Sequence, residues 1–227
     1  MNLLSPAHLL MMRRKPLISV SLLTNLDGSA GGGGFSQAGV SLGDTHAERY
    51  ILAAITARDG ANDFTLNAAS FGGVGATISG VYPGNARLLA GFACAKVPSG
   101  TTGTISLTFS EGIAEGVQVT LFRVLNLASA AAYDSSATGG DPVGTLSRTV
   151  DVPANGLLIG VRNHAQIGSL SWNSLDNSQD WTASGSTARY GVGWELVPGG
   201  ASGRTVQSLT AASNSRAAYS LASFGGL

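Results

Sequence analysis

Apolar and polar positions along this chain fall into short blocks separated by Gly, Pro, Ser and Asp, and one block organises the rest: RYILAAITAR at Arg49–Arg58. Its even positions carry Tyr50, Leu52, Ala54 and Thr56, and its odd positions Ile51, Ala53, Ile55 and Ala57. Neither face suits water, so the block reads as a strand covered on both sides, stopped by Asp59 and Gly60. Tyr50, Leu52 and Ile55 are therefore expected to be buried. A strand two-sided in this way needs a second cover beyond one sandwich core, and a neighbouring subunit, a long loop or an N-terminal strand could each supply it.

Similar blocks recur at 17–24, 35–42, 64–82, 86–97, 103–109, 117–125, 144–152, 156–161, 169–172, 188–196, 204–209 and 217–224. About a dozen strands at this spacing predict a sandwich or barrel. Gly72, Gly73 and Gly75 mark a tight turn inside 64–82; a phosphate-cradling loop would need a Lys-Ser/Thr pair opening a helix, and none follows. Residues 126–142 read as a small-residue surface or contact loop. No repeat at a fixed period is visible.

The first residues differ in kind. Ser5 is placed to cap a short helix with Pro6 in its first turn, Leu9, Leu10, Met11 and Met12 on its body, and Arg13, Arg14 and Lys15 at its end. The charges follow the apolar run, which is too short to span a bilayer, so neither a signal peptide nor membrane insertion is expected. Residues 25–34 (NLDGSAGGGG) read as a flexible tether, which divides the chain into an arm at 1–34 and a sandwich domain at 35–227. A Leu/Met face with a cationic end suits a groove on a neighbouring subunit, making Leu9, Leu10, Met11, Met12, Arg13 and Arg14 the expected assembly contacts.

Composition sharpens this picture. Charged residues are only 11%, Gly accounts for 32 of 227, and the net charge is zero. Such a surface repels its own kind weakly and carries no basic footprint for nucleic acid. Isolated arginines such as Arg58, Arg123, Arg162, Arg189 and Arg204 are expected in interface ion pairs. Cys94, the single cysteine, lies in an apolar strand and reads as a small buried hydrophobe, which excludes an intrachain disulfide.

Candidate chemistry is sparse. His8, His46 and His164 lack a second His or Cys at metal-ligand spacing, and no GxSxG elbow accompanies His46 or His164 to make a hydrolase. No cofactor is expected. Asp176, Ser178 and Asp180 alternate as calcium ligands do, but without the Gly and distant Glu of an EF-hand, so a polar turn competes with a metal loop. Trp172 and Trp181 flank that segment as possible glycan contacts, and core or interface anchoring is the alternative for each.

The stretches SLGDTHAERYILAAITARDG, FTLNAASFGGVGATISG, LLAGFACAKVPSGTTGTISLTFS and VDVPANGLLIGV resemble β-sandwich virion proteins encoded by tailed phages and prophages of alphaproteobacteria. The resemblance runs from about Gly39 to the C-terminus. It implies an all-β, jelly-roll-like antiparallel β-sandwich and a non-enzymatic role as a decoration, neck/collar or fibre component. It also implies self-association, other phage structural proteins as partners, and a place in the virion, assembled in the host cytoplasm. Its motifs are structural and carry no catalytic residues. A host-surface glycan-binding module is the alternative.

Overall fold

The computed structural model describes residues 16–82, 87–140, 144–165, 169–182, 189–210 and 216–227. Among them the regular elements are all strands: β1 (Ser19–Ala30), β2 (Gly34–Ser41), β3 (Arg49–Arg58), β4 (Leu66–Phe71), β5 (Val74–Gly75), β6 (Thr77–Tyr82), β7 (Leu88–Lys96), β8 (Thr102–Phe109) and β9 (Ile113–Leu125). They continue as β10 (Asp134–Gly140), β11 (Leu146–Val152), β12 (Gly156–His164), β13 (Leu170–Asn173), β14 (Asn177–Thr182), β15 (Arg189–Val197), β16 (Ala201–Thr210) and β17 (Ala217–Phe224). The helix expected after Ser5 lies outside the described residues.

Strand β3 sits in the middle of a five-stranded sheet ordered β1-β9-β3-β7-β6, and every one of its residues but Arg58 is buried. Its odd face packs on the four-stranded sheet β2-β8-β4-β5, where Ile51, Ala53 and Ile55 meet Phe35, Phe71, Ile105 and Leu107. Its even face meets a second five-stranded sheet, β10-β17-β12-β15-β14: Tyr50, Leu52 and Ala54 join Phe92, Phe122, Leu157, Ile159, Val161 and Phe224. The far side of that second sheet, through Leu158, Tyr219 and Leu221, packs on the three-stranded sheet β11-β16-β13 through Leu146, Val150 and Val206. The result is a stack of four antiparallel layers. The cover that RYILAAITAR demands comes from within the chain, supplied by the C-terminal half.

The two halves share one winding. Reading β10, β11, β12, β13, β14, β15, β16 and β17 for β1, β2, β3, β4, β6, β7, β8 and β9 turns the order β1-β9-β3-β7-β6 into β10-β17-β12-β15-β14, and β2-β8-β4 into β11-β16-β13. Local detail agrees. Val97-Pro98 following β7 recurs as Val197-Pro198 at the end of β15, with Gly100 and Gly200 both at positive φ. The bond from Asn126 N–H to Glu48 O (3.1 Å) has its counterpart from Gly226 N–H to Asn155 O (3.2 Å). Like sheets face like sheets across the central seam.

Several sequence expectations change. The stretch read as a tether is strand up to Ala30, paired with β9 from Ser19↔Leu125 to Ala30↔Ile113, and only the turn at Gly31–Gly33 remains irregular. Backbone pairing to a central neighbour outweighs the weak β-propensity of Asn, Asp and Gly. For the same reason Asp134–Gly140, read as loop, is strand β10 on β17, and the segment read as a polar turn at 176–180 is largely β14. The Gly72-Gly73 turn is found: both residues lie at positive φ (58° and 84°) between paired Phe71 and Val74, the geometry a two-residue hairpin needs.

Candidate functional site

The most elaborate polar constellation centres on Arg49, at the start of β3. Its side chain is fully buried and its guanidinium donates to six backbone carbonyls: Val97 (2.6 Å), Leu42 (3.3 Å), Gly43 (2.8 Å), Asp44 (3.1 Å), Ser99 (2.7 Å) and Gly100 (2.7 Å). A planar fork with five N–H donors is suited to clasping two loops in this way, and a lysine is not. The loop after β2 and the loop after β7 are thereby fixed to one another. In the second half the corresponding position is Gly156, and the loops close directly: a Cβ there would lie 2.6 Å from Pro153 O. The arrangement holds backbone and offers no reacting group.

A second buried arginine, Arg162 on β12, donates to Ser208 O (2.6 Å) and Gly144 O (2.9 Å). Burial pushes its pKa down to about 10. Three of the other expected ion-pairing arginines find carboxylates within the chain, Arg58 with Glu115, Arg189 with Asp180 (2.9 Å) and Arg204 with Glu195 (2.9 Å), whereas Arg123 Nε donates to the backbone carbonyl of Asp44 (3.0 Å). These contacts stitch strands and loops of one molecule.

The candidate calcium residues do not converge. Asp176 precedes β14 and Ser178 lies on it, both exposed, while the Asp180 carboxylate accepts Arg189 Nε (3.1 Å), Arg189 Nη2 (2.9 Å) and Leu170 N–H (3.3 Å). Among the described residues, no three His, Cys, Asp or Glu side chains group as a metal site. Trp172 and Trp181 lie on opposite sides of the sheet that contains β15. Trp172, on β13, packs into the outer core against Tyr219 (ring centroids 5.7 Å apart), and Trp181, on β14, packs into the seam beside Tyr190 (6.4 Å). The Trp172 ring needs bare backbone beneath it: a Cβ on Gly160 or Gly193 would meet it at 2.6 and 2.9 Å. One sugar ring cannot rest on both tryptophans.

His46 is exposed in the loop before β3, its Nδ1 accepting Glu48 N–H (3.0 Å), and Glu48 in turn pairs with Lys96 (2.7 Å). His164 is fully buried at the end of β12. The assembly residues Leu9, Leu10, Met11, Met12, Arg13 and Arg14 lie outside the described residues. Sequence reasoning passed over a shallow cleft of about 440 Å³ between Tyr133 and the strands β11 and β16, lined also by Asp151, Val152, Ala154 and the stretch Gly199–Ser202. Tyr133 is 63% exposed, an aromatic rim beside a carboxylate. Its sequence setting, a run of Ala and Ser, gives no sign of a cleft.

Cys94 lies in the seam at 1% exposure, and burial raises its thiol well above the ordinary value of 9.0. Tyr219 is likewise raised above 10.0 by burial, against the opposing pull of Arg162 and Arg148. Both groups keep their protons in the folded chain while the unfolded chain releases them, so their contribution is whole below pH 9 and falls as pH rises beyond it. Arg162 acts oppositely, but only above about pH 10. Stability is therefore expected to decline between pH 9 and 10, by up to about 1.4 kcal/mol per pH unit for each ionising group. Urea midpoints measured across that range should flatten in Cys94→Ala; an equal slope in the variant would exclude the thiol as a cause.

No protein-family model matches the chain, and no curated protein matches it.

Proposed function

We propose that this protein is a non-enzymatic structural component of a tailed-phage particle, of the decoration, neck/collar or fibre type, which self-associates and attaches through its N-terminal arm. The observation that carries this reading is the strand order. Within the first half, the orders β1-β9-β3-β7 and β2-β8-β4-β5 are those expected of the two four-stranded sheets of a jelly roll, and the second half repeats the winding one strand short. Jelly rolls serve in viral capsids and in lectins, a likeness that bears on architecture and not on chemistry. The low charge and the family resemblance of the sequence favour the particle.

The architecture also sets the arm's limit. Strand β1 is part of the core stack, so a truncation that spares the described chain is confined to residues 1–15. Their removal is expected to leave thermal unfolding unchanged and to abolish incorporation into particles. Particles that still take up the shortened chain at normal copy number would sink the arm's role.

A second reading, binding of host-surface glycan, draws on the Tyr133 cleft in place of the two tryptophans. Glycan arrays with and without calcium, comparing the native chain with Tyr133→Ala, separate it from a pure scaffold.

A further inference from the structure

The seam between the two five-stranded sheets has two sides that differ in how their polar groups are met. Because the halves share one winding, each seam position has a counterpart: Thr56 of β3 corresponds to Asn163 of β12, and Thr120 of β9 to Ser220 of β17. On the side of β6 and β7 the contacts close directly. Asn163 Nδ2 donates to Ala57 O (2.9 Å) and Leu89 O (3.2 Å), its Oδ1 accepts Ala218 N–H (3.2 Å), and the Ser220 hydroxyl donates to Gly80 O.

On the side of β14 and β15 the counterparts reach nothing. Thr56 Oγ1, Thr120 Oγ1 and Gln118 Oε1 are buried without a protein partner, in residues at 2%, 0% and 1% exposure. They project with Leu52, Ala54 and Phe122 toward the seam. Trp181, which packs into the same seam, has a buried and unpartnered indole N–H. Gln118 is held by Asp27, to which its Nε2 donates at 2.8 Å. The exposed bond from Asn25 Nδ2 to Gln179 Oε1 (3.3 Å) spans the seam at its rim, with Asn25 paired to Thr120 in the sheet.

We propose that this side of the seam is a buried solvent site, holding a short chain of ordered water bonded to Thr56, Gln118, Thr120 and the Trp181 indole. The groups fit that occupant. The indole only donates, the amide oxygen only accepts and the two hydroxyls do both, so water, which also does both, can link them where they fail to reach one another. Buried polar groups in folded proteins are met in this way, and a site with two to four polar partners retains its water. A wholly apolar seam would stay dry.

The test uses the full-length chain, labelled with nitrogen-15, and water as its own probe. The Trp181 indole resonance, identified by its loss in Trp181→Phe, is expected to show cross-peaks to water of opposite sign in laboratory-frame and rotating-frame Overhauser experiments, the mark of long-lived bound water. Those cross-peaks should shrink or vanish in the near-isosteric double variant Thr56→Val/Thr120→Val, with an unchanged or lowered urea midpoint. Absence of water cross-peaks in the native chain overturns the proposal, and so does a raised midpoint in the double variant, because deleting truly unpaired hydroxyls stabilises. Should the variant not fold, the native cross-peaks alone decide.

Discussion

Substitution of Arg49 by leucine is expected to cost about 3–5 kcal/mol of unfolding free energy, the largest effect of any single replacement in the first half. Six carbonyls lose their donor together, and the loops they belong to, at Leu42–Asp44 and Val97–Gly100, are left with the backbone bonds from Leu42 N–H to Thr101 O (2.8 Å) and from His46 N–H to Pro98 O (3.3 Å). Lysine keeps the charge but not the fork, so Arg49→Lys should recover only part of the loss. Urea unfolding followed by tryptophan fluorescence measures both. A leucine variant within about 1 kcal/mol of the native chain would mean that the loops are held by their own backbone bonds.

The second large effect concerns the seam. A chain of residues 16–127 alone contains both sheets of the first half yet exposes Tyr50, Leu52, Leu88, Phe92, Phe122 and Val124, all buried in the intact molecule. At roughly 1.5–3 kcal/mol for each large side chain, the exposure amounts to about 10 kcal/mol, comparable to the whole stability of a domain. This half is expected to self-associate, its seam face meeting its own copy as it meets the second half in the intact chain. Size-exclusion chromatography with light scattering provides the readout. A soluble, folded monomer of residues 16–127 would show that the seam is not needed to hold the first half.

The strands carried by dense apolar runs were legible in the sequence. Arg49–Arg58 and Ala217–Phe224 form as their patterns predict, and the demand for cover on both faces of β3 is met. What hid was anything decided by a distant partner. The segments DSSATGG of β10 and NSQDWT of β14 have turn-like compositions and become strands because β17 and β15 offer them an edge. The internal repeat escaped because it survives as winding and as a few loop residues, Val-Pro and the glycines after it, while facing side chains diverged: Thr56 against Asn163, Arg49 against Gly156. The arginine clasp escaped because nothing local distinguishes a residue that binds six carbonyls from one awaiting a carboxylate.

Asn126 and Asn155, both at positive φ, tie the opening of the described chain to its end. Asn126 Nδ2 donates to Leu17 O (2.8 Å) while its own carbonyl accepts Leu227 N–H (3.0 Å), and Asn155 Nδ2 donates to Pro16 O (3.3 Å). Residues 16 and 227 therefore leave the body side by side, which gives the molecule a polarity. A label joined ahead of Pro16 and a fusion made at Leu227 would crowd the same pole, whereas the outer faces of both flanking sheets stay clear of either end. A probe meant to leave both ends of the described chain free belongs on those outer faces, at an exposed position such as Ser36 of β2 or Thr205 of β16.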